Sequence, residues 1–294
     1  MQKKLSYRIL QTGLKLGLGI ALCTGAARAQ QYSRTTPTPA DMSCSGLITD
    51  QPVPTDAYLI SGEESRLKST FSDQDFIYIN QGSEHGVKVG DRFDVIRPIT
   101  DLMEQTRWFK YQPMLTKAMG TRFADIGRLR VIHVDAKTST AQIDVGCDLM
   151  ERGDIVLPSA ARPVPQFHEA KLDLFAPASG KKTGMVVTAK DFSVLTGPGT
   201  IIYVNLGSSQ GVRIGDYFRV FRYQGSRIDS LYQTKDMAFK LYGYGSTPAE
   251  YQWDNLPRQI LGEGIVLRTG PNTSTVLLTN VRQDTYIGDY VELE

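Results

Sequence analysis

The strongest constraint on this chain is that part of its text occurs twice. Ile77-Tyr78-Ile79-Asn80-Gln81-Gly82-Ser83 recurs as Ile202-Tyr203-Val204-Asn205-Leu206-Gly207-Ser208. Gly86-Val87-Lys88-Val89-Gly90-Asp91 recurs as Gly211-Val212-Arg213-Ile214-Gly215-Asp216, and Phe93, Val95 and Arg97 return as Phe218, Val220 and Arg222, all at an offset of 125 residues. Thr138-Ser139-Thr140 then matches Thr273-Ser274-Thr275, and Gly153-Asp154 matches Gly288-Asp289, at an offset of 135, so the second copy holds ten more residues between the blocks. Offsets held over so many positions mark a duplicated unit, and a unit of about 100 residues is the size of one small domain.

The repeated text reads as β-structure. Ile77–Asn80 is a β-branched and aromatic run ending in turn residues. Gly82, Gly86 and Gly90, with Gly207, Gly211 and Gly215 in the other copy, punctuate the next loop, where positive φ is expected. Asp91 and Asp216 follow turn glycines and are expected to cap backbone amides there. Val87 and Val89 are placed to plug the core while Lys88 faces water. Arg92–Arg97, Arg128–Asp135, Thr140–Val145 and Ile155–Leu157 supply further strands. Short strands, Gly-rich turns and no long amphipathic helix predict an all-β chain of two tandem small barrels, at 57–158 and 184–294. The linker 159–183, with Pro163, Pro165 and Pro177, joins them.

At these residues the chain resembles the carboxy-terminal domain of flagellar assembly protein T. The likeness lies in the strand before Asn80, the Gly-Ser turn, the GV-x-x-GD loop and the closing Gly-Asp pair, in both copies. It implies an SH3-like β-barrel in a periplasmic protein and supplies a fold, not a flagellar role. The Gly-Asp pairs are also similar to the peptidoglycan-binding LysM domain. LysM needs helices directly after that turn, whereas Phe93–Ile96 and Phe218–Phe221 read as strands.

The amino terminus reads as an export signal. Residues 1–29 hold Lys3, Lys4, Arg8, Lys15 and Arg28 and no acid; Leu16–Ala27 is uncharged, and Ala27-Arg28-Ala29 is a small-x-small cleavage pattern. The uncharged stretch is shorter than the roughly 20 residues of a spanning helix, so the processed chain is not expected to span a membrane. A retained anchor and a lipid on Cys23 are the alternatives, the latter opposed by bulky Leu22. Removing those five residues from the 33 basic ones leaves 28 against 31 acids, about −3, which gives no electrostatic reason to track nucleic acid. Residues 30–56, rich in Pro, Ser and Thr, read as an extended tether. In an oxidising compartment Cys44 and Cys147 most simply form one disulfide, fastening that tether to the first module. Two buried free thiols are the alternative.

No arrangement of residues argues for catalysis, a cofactor or a metal. Gly207-Ser208-Ser209-Gln210-Gly211 has the spacing of a nucleophile elbow, but it leads into a β loop and the sister copy has Glu84 where Ser209 stands. His85, His133 and His168 show no ligand spacing, and His85 corresponds to Gln210, a solvent-facing polar position. The least repeated segments, 98–125 and 223–259, hold both tryptophans. Aromatics on loops give large contact area at low rotamer cost. Trp108, Tyr111, Tyr242, Tyr244 and Trp253 are therefore the candidate contacts to an envelope protein or, alternatively, a cell-wall glycan. The competing reading is that they fold back onto their own barrel. The chain reads as a non-enzymatic exported scaffold of the periplasm or cell surface.

Overall fold

A computed structural model describes residues 35–99, 109–169, 171–224 and 256–294; the proposed signal segment lies outside them. The first part of the chain forms helix α1 (Pro39–Cys44), β1 (Leu47–Thr49), β2 (Leu59–Gly62), β3 (Thr70–Phe71), β4 (Phe76–Ile79), β5 (Arg92–Pro98), helix α2 (Gln112–Met119), β6 (Thr121–Val134), β7 (Ser139–Gly146), β8 (Met150–Glu151) and β9 (Ile155–Pro158). The second forms β10 (Thr183–Ala189), β11 (Leu195–Thr196), β12 (Ile201–Val204), β13 (Tyr217–Arg222), β14 (Gln259–Thr269), β15 (Ser274–Val281), β16 (Thr285–Tyr286) and β17 (Tyr290–Leu293). The fold is all-β, as the turn-punctuated text implies. None of the described helices is long and apolar enough to cross a membrane.

The strands form two large sheets, ordered β2-β4-β7-β6-β5-β9 and β10-β12-β15-β14-β13-β17, and two small two-stranded ones, β3-β8 and β11-β16. Tyr78 pairs with Thr140 in the first, and Tyr203 with Thr275 in the second. The sheets differ at the seam. The second closes into a barrel through Thr183↔Glu292, Gly184↔Val291 and Met185↔Tyr290. In the first, the corresponding edges meet at one bridge, Tyr58↔Ile155, with hydrogen bonds from Val156 N to Ala57 O, Leu59 N to Asp154 O and Gly153 N to Leu59 O, each at 2.9 Å.

Inward side chains form a separate core for each sheet. The first gathers Leu59, Ile77, Ile79, Val95, Leu129 and Ile143, and the second Val186, Ile202, Val204, Phe218, Val220 and Leu278. Their outer faces diverge. Along β7 buried and half-buried residues alternate from 139 to 144, whereas all eight residues of β15 are buried, so the second barrel is covered outside as well. Gln142 of β7 corresponds to Leu277 of β15, and Asp144 to Thr279.

Part of that covering comes from the segment expected to be a tether, and this is a correction. Residues 35–56 are not an extended leader: Thr38 caps α1 by accepting from Asp41 N at 3.2 Å, and β1 pairs with β6 as Leu47↔Phe123 to Thr49↔Thr121. The expectation failed because it weighed prolines, and Pro39 stands in the first turn of a helix, where a missing N–H costs nothing. The presumed insertion 98–125 likewise includes α2 and the start of β6.

Candidate functional site

The glycine turns serve the fold. Gly86 and Gly90 have φ of 80° and 94°, and Gly211 and Gly215 have 89° and 90°, a region that disfavours residues with a Cβ. Gly82 and Gly207 correct the expectation of positive φ, since both are extended at −129° and −143°. They are glycine for close approach: a Cβ on Gly82 would stand 2.5 Å from the carbonyl oxygens of Asp135 and Ala136, and one on Gly207 would stand 2.5 Å from Thr273 N. Asp91 Oδ2 accepts from Lys88 N and Asp216 Oδ2 from Arg213 N, both at 2.8 Å. Val87 and Val212 are buried, but Val89 is 66% exposed and Ile214 55%. Val89 therefore does not plug the core, because the glycine on either side of the Val87–Val89 stretch turns the tip of the loop outward.

The repeated arginines and closing aspartates meet, although they lie far apart in sequence. Arg97 Nε donates to Asp154 Oδ1 and its Nη2 to Oδ2, at 2.7 and 2.9 Å; Arg222 makes the same two bonds to Asp289 at 2.7 Å. Asp154 also accepts from Glu151 N, and Asp289 from Tyr286 N. Burial pushes the Asp289 carboxyl up, and Arg222 only partly counters it. Asp154 raises Arg97 by direct hydrogen bonding. Each pair ties the strand beside the last one, β5 or β13, to the turn that leads into that last strand.

The largest constellation lies where the two halves join. Asp125 of β6 is buried and accepts from Gly46 N at 2.7 Å, from Arg162 Nη1 at 3.4 Å, and from Arg268 Nη1 of β14 at 3.0 and 3.1 Å. Arg162 also bonds Asp94, which accepts from Arg128 Nε at 3.0 Å and Ser159 Oγ at 2.8 Å. Burial lowers the Arg268 guanidinium, against the pull of Asp125. Tyr203 donates to Ser45 O at 2.8 Å, and its burial pushes the hydroxyl up to about 12. Thr273 Oγ1 donates to Ile48 O at 2.5 Å. The leader strand thus lies between the two sheets, paired to one and hydrogen-bonded by the other. Met42, Ile48 and Met119 pack there on Tyr203, Ile265 and Leu277. The disulfide Cys44–Cys147, Cα to Cα 5.4 Å, fastens the leader to the loop after β7.

A second anchor crosses in the same direction. Phe109, from the segment between β5 and α2, is 2% exposed and belongs to the core of the second barrel. Gln112 Nε2 donates to Val187 O at 3.1 Å, and Leu115 packs on the same barrel. In sequence Phe109 sits beside Trp108 and Tyr111 with nothing to mark it as a core residue. Leu277, an apolar residue at an outward position of β15 where β7 has Gln142, was the available sign that the second barrel is covered. Of the candidate contacts, Tyr111 is the residue before α2 and is 42% exposed, with Lys110 Nζ 5.4 Å from its ring. Trp108, Tyr242, Tyr244 and Trp253 lie outside the described residues. Among the described residues no group of His, Cys, Asp and Glu is arranged to hold a metal ion.

Where the pairing of the first sheet's edges ends lies a cleft of about 560 Å³ between Pro54–Ala57 and Val156–Ser159, bordered by Gln81, His85 and Arg92. No protein-family model and no curated protein matches the chain.

Proposed function

We propose that the protein is exported, cleaved after Ala29, and acts in the periplasm or at the cell surface as a non-enzymatic scaffold. Its two modules are read as duplicates of one SH3-like barrel. They hold loop insertions in a set arrangement for binding another envelope component. The observation that carries this reading is the joining of the two halves: Phe109 enters the second core, and the leader strand is shared by both sheets. A scaffold needs its contact loops held in fixed relation, and loops on a packed framework are where binding residues gather. The disulfide supports export, since such bonds persist in oxidising compartments. Trp108, Tyr111, Tyr242, Tyr244 and Trp253 are the proposed contacts.

The test is capture by the purified processed chain from an envelope extract, with intact peptidoglycan as a parallel bait. The expected result is one enriched protein partner, weakened by Trp253→Ala with melting unchanged. Sedimentation with peptidoglycan and no protein capture favours the glycan reading instead. Capture of neither, or a detected hydrolytic activity, defeats the scaffold.

A further inference from the structure

The small ribbons of the two modules have opposite polarity. In the first, β3-β8 pairs Phe71↔Met150 and Thr70↔Glu151; Phe71 and Met150 are buried, and Glu151 faces water. In the second, β11-β16 pairs Thr196↔Thr285 at the corresponding inner positions and Leu195↔Tyr286 at the outer ones. The two threonines are buried, with Thr196 Oγ1 donating to Thr285 O at 3.0 Å, while Leu195 is 47% exposed and Tyr286 39%. The second core takes an aromatic from elsewhere instead: Phe109 lies against Gly288, two residues from Tyr286. Leu195 and Tyr286 therefore do not serve the core, and the first ribbon shows that the fold accepts Thr and Glu in their places.

Phe109 also brings α2 to this ribbon. Gln112, Leu115 and Met119 face the second barrel. Lys110, Tyr111, Met114, Lys117 and Ala118, three or four residues apart, make another side, where all five are exposed and Met114 is 62% so. Residues 109–124 hold Lys110, Lys117 and Arg122 and no acid, in a processed chain that is net acidic. Arg122 is turned inward to Lys190 O, so the exposed charge is that of the two lysines. Asp50, beside Gly120 at the end of the helix, already accepts from Asn272 Nδ2 at 3.0 Å. The ribbon's flanks carry Asp191 and Asp284 against Lys190 and Arg282, so the excess positive charge belongs to α2.

We infer that this surface, α2 with the outer pair of β11-β16, docks on a membrane that carries anionic lipids. The lysines select an anionic surface, and the apolar residues are those a bilayer interface takes. Met114 and Leu195 enter the acyl boundary, Tyr111 and Tyr286 keep their hydroxyls at headgroup level, and Lys110 and Lys117 reach the lipid phosphates. The contact is peripheral. It shares Tyr111 with the proposed scaffold contacts and no other residue, and it needs no protein partner, so the two readings fail separately.

The test is flotation of the full processed chain with vesicles of phosphatidylcholine alone, or of phosphatidylcholine mixed equally with phosphatidylglycerol. Binding to the mixed vesicles is expected, weakened by added salt, with far less to phosphatidylcholine. Lys110→Glu/Lys117→Glu should weaken it about ten-fold or more. Leu195→Thr/Tyr286→Glu, which copies the first ribbon's own outer pair, should do the same with melting unchanged. Should that variant unfold, Met114→Gln, at an exposed position, tests the apolar contribution in its place. No binding to the mixed vesicles, equal binding to both kinds, or binding undiminished in these variants would each overturn the inference. So would an envelope protein that is captured by the chain and lost with Met114→Gln while vesicles go unbound.

Discussion

The Asp125 carboxylate, on the longest strand of the first sheet, receives the Arg268 guanidinium from the second at 3.0 Å, with both groups largely withdrawn from water. The contact joins residues 143 positions apart and also holds the leader through Gly46. Removing the carboxylate leaves Arg162 and Arg268 facing each other without a shared anion. Asp125→Ala is expected to cost about 3–5 kcal/mol, the range for a broken buried ion pair. Chemical denaturation checks this, and a cost near zero would show that water satisfies the arginines.

Phe109 yields a prediction that crosses between the halves. Phe109→Ala removes a ring from a core to which its own module contributes nothing else buried, and the expected loss is about 3–5 kcal/mol. Hydrogen exchange should rise first in β10 and β17, next to Gly288, whose Cβ position lies 3.0 Å from the ring. Faster exchange confined to β4 and β7 would contradict the assignment of this ring to the second core.

The disulfide spans 103 residues. On the chain-entropy view, a loop of that length stabilises by about 4–5 kcal/mol before strain. Reduction should lower the denaturation midpoint by a corresponding amount, and Cys44→Ser/Cys147→Ser should reproduce the shift without reductant. Thiol titration of unfolded, unreduced processed protein is expected to find no free cysteine.

Acid should destabilise the fold through two carboxylates in particular. For Glu292 burial acts upward, but Arg258, Ser179 N and Arg219 outweigh it and hold the carboxyl low; Asp75 is lowered chiefly by its hydrogen bond from Lys68. A carboxyl lower in the folded than in the unfolded chain adds stability above its unfolded pKa, about 4. That stability is lost as pH falls through the folded value. Asp289 is raised, so its sign is opposite: its contribution declines as pH climbs from the unfolded value through the folded one. Glu292→Gln should therefore flatten the acid limb of a stability–pH curve, and an unchanged limb would remove Glu292 from this account.

Much of the local structure was legible in the text. The β-branched run Ile77–Asn80 and its copy announced strands, and the Gly-Asp steps announced capped turns. The pairing of Cys44 with Cys147 followed from there being two cysteines beyond the segment read as an export signal. Less was legible wherever one residue type serves two purposes. Gly82 and Gly90 look alike in a sequence, yet the backbone oxygens of residues 135 and 136 require the first and positive φ requires the second. Val87 and Val89 are the same residue two positions apart, and only the path of the loop sends one inward and one to solvent.

By itself, the sequence determined the all-β class, the repeated strand–turn text and the cysteine pair. These depend on side-chain shape, glycine and proline chemistry and residue count, which are local or compositional properties. The tertiary structure alone decided that the leader is a strand between two sheets and that Phe109 belongs to the other barrel. It also decided that Asp125 binds arginines from two distant segments, and that one seam is paired over three residues while its counterpart is paired at a single bridge. The physical reason is that such contacts depend on which surfaces meet. A proline-rich segment or a lone phenylalanine carries no mark of the surface that will bury it until both sheets have formed.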